Sequence, residues 1–232
     1  MTLVLESDNL TAEMPRVNPS APDVPPKRAR ARATQSRIVK AAFGLFCERG
    51  YSGTTMAHIA DAADVAVQTV YFTFHTKAAV LSRAYDYAVS GEGEPILPWE
   101  QPWYREMVAA ADVVESLGQL VSGVGEITRR LTPLYVVASG AAASDPEVAE
   151  VVDRHERWRV EGYRGMVEVL RAKSALRAGL TPERANDLLL LYVGMDVYHA
   201  LVEVAGWSHD AWAAWTRATL AHQLFAVEID DL

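Results

Sequence analysis

Residues 55–74, TMAHIADAADVAVQTVYFTF, hold two apolar helical stretches with a break at Asp64. Neither stretch is long enough to be a stable helix alone in water. The first runs from Met56 to about Ala63 with Thr54 or Thr55 as its N-cap, and the second spans roughly Ala66 to Phe72. Both must pack on something larger. The preceding segment, QSRIVKAAFGLFCERG (35–50), supplies it: Thr34 reads as the N-cap, Ile38, Ala42, Leu45 and Phe46 recur at helical spacing, and Gly50 ends the run. Ile59, Ala60 and Ala63 face that helix, while Val65 and Val70 fill the corner between the short pair. Asp64 stands where the turn needs a positive φ, which Asp tolerates better than most residues. The result is a helix-turn-helix whose third helix shows Val67, Gln68, Thr69, Tyr71 and Thr73 to solvent.

Charge indicates what that face meets. The net charge is −8, yet residues 27–90 carry nine Lys and Arg against four acids, while residues 91–232 carry twelve against twenty-two. A basic head on an acidic body implies a polyanionic partner at one end. Gln68 can bond adenine in bidentate fashion, and Val67 and Thr69 can touch a thymine methyl. Thr55, His75 and Lys77 surround this tip as groups suited to phosphates. KRARAR (27–32) reads either as a DNA-contacting arm or as a solubilising segment.

GYSGTTMAHIADAADVAVQTVYFTFHTKAAVL (50–81) resembles the DNA-binding segment of the TetR family of transcriptional regulators. The resemblance rests on Gly50, Tyr51, Thr54, Thr55, Ile59, Ala60, Ala63, Val65, Thr69, Tyr71, Phe74, Lys77 and Leu81 in register. It departs at Asp64 for the usual Gly, Ala66 for the usual capping Ser and Thr73 for the usual aromatic. The resemblance implies a homodimer on double-stranded DNA, with base contacts from Val67, Gln68 and Thr69 and further contacts from Thr55, Tyr71, Thr73, His75 and Lys77. It also implies a body that binds a small-molecule effector. Repressor is the primary expectation, with a palindromic operator and release by the effector; an activator of the same fold is the first alternative, and an all-α small-molecule-binding or enzymatic protein the second.

The rest of the chain reads as helices, so the expected class is all-α: a three-helix head and a helical-bundle body, about nine or ten helices in all. Residues 1–26, with five prolines and four acids, read as a disordered tail, 27–91 as the DNA-binding domain with its motif at 55–74, and 92–232 as the effector-binding and dimerisation domain. GEGEPILP is the only credible linker. Thr76 caps a helix ending at Gly91, one helix covers about Asp112–Leu131, and another follows Pro133. Asp145-Pro146 opens a helix to about Lys173, Thr181-Pro182 one to about Ala205, and Ser208 one towards Val227. The helix from Pro182 is apolar nearly all round, so the last two helices, about 182–205 and 208–227, are expected to pair with their copies. Trp103, Tyr135, His155, Trp158 and Tyr192 are the expected effector contacts; ordinary core filling is the alternative for each.

Other classes find little support. SGVGEI (122–127) is no dinucleotide motif, and no GxSxG, Walker loop or HExxH occurs, so no catalytic residue, cofactor or metal is assigned. Asp196, His199 and Glu203 share a helix face and read as an interface network rather than metal ligands. The single Cys47 reads as a packed thiol. No apolar run reaches a membrane span and no basic-then-apolar leader opens the chain, so a cytoplasmic protein is expected.

Overall fold

Short polar side chains set most helix starts. Thr55, Thr76, Asp112, Asp145, Thr181 and Ser208 each accept a backbone N–H from the first turn of the helix that follows. In the computed structural model, which describes residues 26–91 and 100–229, the helices are α1 Pro26–Gly53, α2 Met56–Ala62, α3 Val67–Phe74, α4 Lys77–Ser90, α5 Pro102–Ala109, α6 Val113–Ala142, α7 Pro146–Lys173, α8 Pro182–Tyr192, α9 Met195–Tyr198 and α10 His209–Phe225. A wider π turn, His199–Val204, joins α9 towards α10. No strand occurs among the described residues, so the all-α expectation holds. The expected tail and most of the expected linker lie outside the described residues.

The helices enclose two joined apolar cores. One unites α1–α4 with the C-terminal half of α6, the start of α7 and Met195. The other gathers α5, the N-terminal half of α6, the second half of α7, α8 and α10 around the buried Trp212 and Tyr198. α6 and α7 therefore pass through both. At 30 residues, α6 is about 45 Å long, enough to span the molecule.

Several expectations need correction. α1 begins at Pro26, not after Thr34, because KRARARA is made of strong helix formers. α6 continues through Pro133. The proline removes the N–H that would bond the Arg129 carbonyl, at about 3 kcal/mol, but the same turns bury Leu131, Leu134 and Ala138. The helix from Pro182 breaks at Gly194 instead of running to Ala205. A Cβ there would lie 2.6 Å from the Leu190 carbonyl oxygen, so only glycine permits the extended residue (φ −74°, ψ 156°) that restarts the chain. Thr128 Oγ1, buried, donates to the freed Val193 carbonyl at 2.9 Å. Of the residues expected on one helix face, Asp196 lies in α9 while His199 and Glu203 lie in the π turn beyond it. α5 was not foreseen; it follows Pro102 at the first helical position and buries Met107.

Basic side chains from distant helices close several helix C-termini. Lys77 does so for α1. Arg130, expected at a solvated helix end, donates from Nε to Ala88 O at 3.0 Å and from a terminal nitrogen to Val89 O at 3.3 Å, at the end of α4. Lys173 Nζ donates to the Val108 and Ala110 carbonyls at the end of α5, and Arg159 donates to Leu190 O near the end of α8. Each supplies positive charge and donors where the carbonyls of a helix end lack partners.

Candidate nucleic-acid interface

The head is built from the end of α1 outward. Gly50 leaves the helical region at φ 73°, letting Tyr51 and Thr54 turn inward, where both are buried. Thr54 Oγ1 donates to Leu45 O and Gly50 O. Lys77 Nζ donates to Tyr51 O at 2.8 Å and Thr54 O at 3.0 Å, and lies 3.9 Å from the centre of the Tyr51 ring. Burial lowers the Lys77 pKa, partly opposed by Asp145. Burial also pushes the Tyr51 hydroxyl up to about 12, assisted by Asp145 and Glu147 at the start of α7. Lys77, half-buried, thus spends two of its donors on the end of α1.

α2 starts with reciprocal bonds: Thr55 Oγ1 accepts from His58 N at 3.1 Å, and Thr55 N donates to His58 Nδ1 at 3.3 Å. Ile59, Ala60 and Ala63 are buried as expected. Asp64 makes the turn at φ 51°, and Ala66 begins α3 without a side-chain cap. α3 is pinned by the buried Val70 and Phe74, and its last residue is Phe74 rather than Phe72.

That anchoring decides what remains outside. At about 100° per residue, Gln68, Tyr71, Phe72 and His75 share the face opposite Val70 and Phe74, and all four are exposed. Val67 and Thr69 flank it, half-buried. Thr73 is exposed, and its Oγ1 donates to Thr69 O at 2.7 Å, which leaves the oxygen free to accept. His75 closes α3 at φ 63°, its N–H donating to Tyr71 O. The sequence reading omitted Phe72, which is 84% exposed. Its signal was the α3 register itself, since Phe72 stands four residues after Gln68.

The five expected effector contacts do not converge. Trp103 packs over Gly123 and donates to Gln101 Oε1. The Tyr135 hydroxyl donates to Asp196 Oδ2 at 3.1 Å, and Tyr192 meets Trp215 edge-on at 5.8 Å. His155 stacks on Tyr85 at 4.6 Å and meets Trp158 at 5.2 Å. His155 Nε2 lies 3.2 Å from Ser82 Oγ, and burial with nearby Arg154 lowers its pKa to about 4. Trp103, Tyr135, Tyr192 and His155 lie between different helix pairs, while Trp158 is 60% exposed. A cleft of about 270 Å³ lies elsewhere, lined by Arg159, Asp187, Leu190, Leu191, Met195 and Asp196 around Gly194. Cys47 is half-buried in α1, and burial pushes its thiol up to about 11. No described helix is long and apolar enough to cross a membrane.

Comparison with known proteins agrees with this head. Residues 38–84 match the family described as bacterial regulatory proteins, tetR family. The HTH-type transcriptional repressor KstR of Mycobacterium tuberculosis is 28% identical over 152 residues, 56% of this chain. The match spans about two thirds (66%) of that relative's length. Among solved structures, NalD of Pseudomonas aeruginosa, the secondary repressor of the MexAB-OprM multidrug efflux pump, is 20% identical with a TM-score of 0.62, covering 84% of this chain and 98% of NalD. FadR of Bacillus subtilis, solved with stearoyl-CoA, is 17% identical with a TM-score of 0.63, covering 81% of this chain and 97% of FadR. The likeness to both structures is one of fold. With its α2–α3 head matched in register, residues 38–84 carry the N-terminal domain of the bacterial regulatory proteins of the tetR family.

Proposed function

We propose that the chain represses transcription as a homodimer: two α3 helices enter successive major grooves of a palindromic operator, and a small molecule bound in the body releases the DNA. One observation carries the reading, namely the outward face of α3, where Gln68 stands exposed while Val70 and Phe74 hold the helix from behind. Val67, Gln68 and Thr69 read bases; Thr55, Tyr71, Thr73 and His75 hold the backbone. Lys77 positions this tip from within. The head comprises residues 27–91 and the body 92–232, joined through α4.

The last helices supply the twofold contact. Leu191 is 53% exposed, Val204 73% and Trp207 36%, apolar surface that a second copy would cover. The two heads then meet half-sites about 34 Å apart. The effector enters the body, for which the cleft beside Arg159, Asp187 and Asp196 is the candidate; a lipid thioester occupies the related FadR structure. Ligand-favoured states shift the heads away from that spacing.

The test is a mobility-shift assay at two salt concentrations, using duplexes selected from a random pool, with a promoter–reporter fusion alongside. Salt-sensitive, sequence-selective binding as a dimer and lower reporter output are expected. Unselective binding refutes the DNA reading, and higher output makes the protein an activator.

A further inference from the structure

We infer that Phe72 reads the 5-methyl group of thymine in the operator, making it a specificity determinant of this head. The inference rests on the DNA-binding reading above. Phe72 is the most exposed of the large hydrophobic residues among those described, at 84%. It is the sixth residue of an eight-residue helix whose other apolar positions are used: Val70 and Phe74 are buried, and Val67 is packed against the core. Its exposure is therefore fixed by the register of α3 and not by fraying.

The neighbours on that face identify the partner. Gln68 lies one turn before Phe72, Tyr71 beside it and His75 almost one turn after. All three can hydrogen-bond, and Phe72 cannot. A helix that lies in a major groove with its N-terminal residues on base edges sets Phe72 about 6 Å farther along the groove than Gln68, close to two base-pair steps. Base edges in that groove are almost wholly polar; the apolar exception in unmodified DNA is the thymine methyl. The head's local excess of basic residues, nine against four acids over residues 27–90, suits a nucleic acid over an apolar protein groove. A ring that would stay wet everywhere else is thus matched to a methyl group near the base that Gln68 addresses.

The experiment is a cycle between protein and DNA. Starting from the tightest duplex selected by the wild-type chain, each thymine of one half-site is replaced in turn by deoxyuridine, which removes the methyl and keeps the pairing. At one position the wild type should lose about fourfold in affinity, the worth of one methyl-sized group buried. Phe72→Ala should bind the thymine duplex about fourfold or more weakly and be indifferent to uridine there. Phe72→Leu should keep part of the discrimination, and Gln68→Ala should keep all of it while binding more weakly. Wild-type indifference to uridine at every position overturns the inference, as does a Phe72→Ala protein that still discriminates. A Phe72→Ala change in oligomeric state without DNA, read by sedimentation, would instead make this face a contact between copies and also overturn it. These outcomes leave the DNA reading intact; unselective binding by the wild type sinks both.

Discussion

Replacing Lys77 by Met separates its two possible roles. The side chain makes two charge-assisted hydrogen bonds, to Tyr51 O and Thr54 O, and covers the Tyr51 ring. Each bond is worth about 1.5 kcal/mol at the low end suited to a half-exposed cation, and the ring contact about 0.5 kcal/mol. Methionine keeps the apolar stem and the packing but leaves both carbonyls without this donor. The expected loss is about 3.5 kcal/mol, which for a chain of this size lowers the melting temperature by about 7–14 °C. Differential scanning calorimetry measures it, and the salt dependence of DNA binding is the companion assay. A lysine on a phosphate contributes about 0.9 to the slope of log K against log salt, or about 1.8 for two heads. Unchanged melting with a slope reduced by about 1.8 would falsify the internal role; a large melting shift with the slope kept supports it.

Three further outcomes are expected. Pro133→Ala should raise stability by about 1–3 kcal/mol, since Pro133 is exposed inside α6 and alanine restores the missing N–H; urea unfolding reads this, and a loss would mean that the proline kink is needed for packing. Gly194→Ala should destabilise by about 1–3 kcal/mol, because its Cβ would meet the Leu190 carbonyl at 2.6 Å; a neutral urea midpoint would show that the α8–α9 break can shift freely. His155 is held near pKa 4 against 6.5 when unfolded, so the unfolded chain binds more protons between these values. Stability is therefore full above about pH 6.5 and falls by up to about 3 kcal/mol as the pH drops to 4. The slope in that window should flatten in His155→Phe, and an unaltered slope assigns it to other groups.

What could be read from the sequence was local. Thr55, Thr76, Asp145-Pro146, Thr181-Pro182 and Ser208 identify the helix starts, and Asp64 the turn before α3, because each acts within its own turn and needs no knowledge of the fold. The α3 face was legible for the same reason, through the spacing of Val70 and Phe74. Where contacts span the chain, the reading failed. Nothing near Lys77 announces carbonyls 23 and 26 residues away, and nothing near Arg130 announces the end of α4, 41 and 42 residues earlier. Pro133 and Gly194 misled because burial decides whether a helix survives a proline or a long apolar run breaks. The aromatic residues of the body were counted correctly as apolar mass, but composition carries no direction, and Tyr135, Trp103 and Tyr192 point into different helix pairs. Phe72 escaped because an apolar side chain is ordinarily assigned to the core.

The Arg130 clasp has a mechanical consequence. Because it grips the last carbonyls of α4 from α6, that end of α4 is a fulcrum, and the far end, at Lys77, is bonded into the head that holds the reading helix. A rod of 14 residues is about 21 Å long. Tilting it by about 10° swings the far end by roughly 4 Å, which is about one base-pair rise. A disturbance too small to repack the body is, at the end of that lever, a whole register error on DNA.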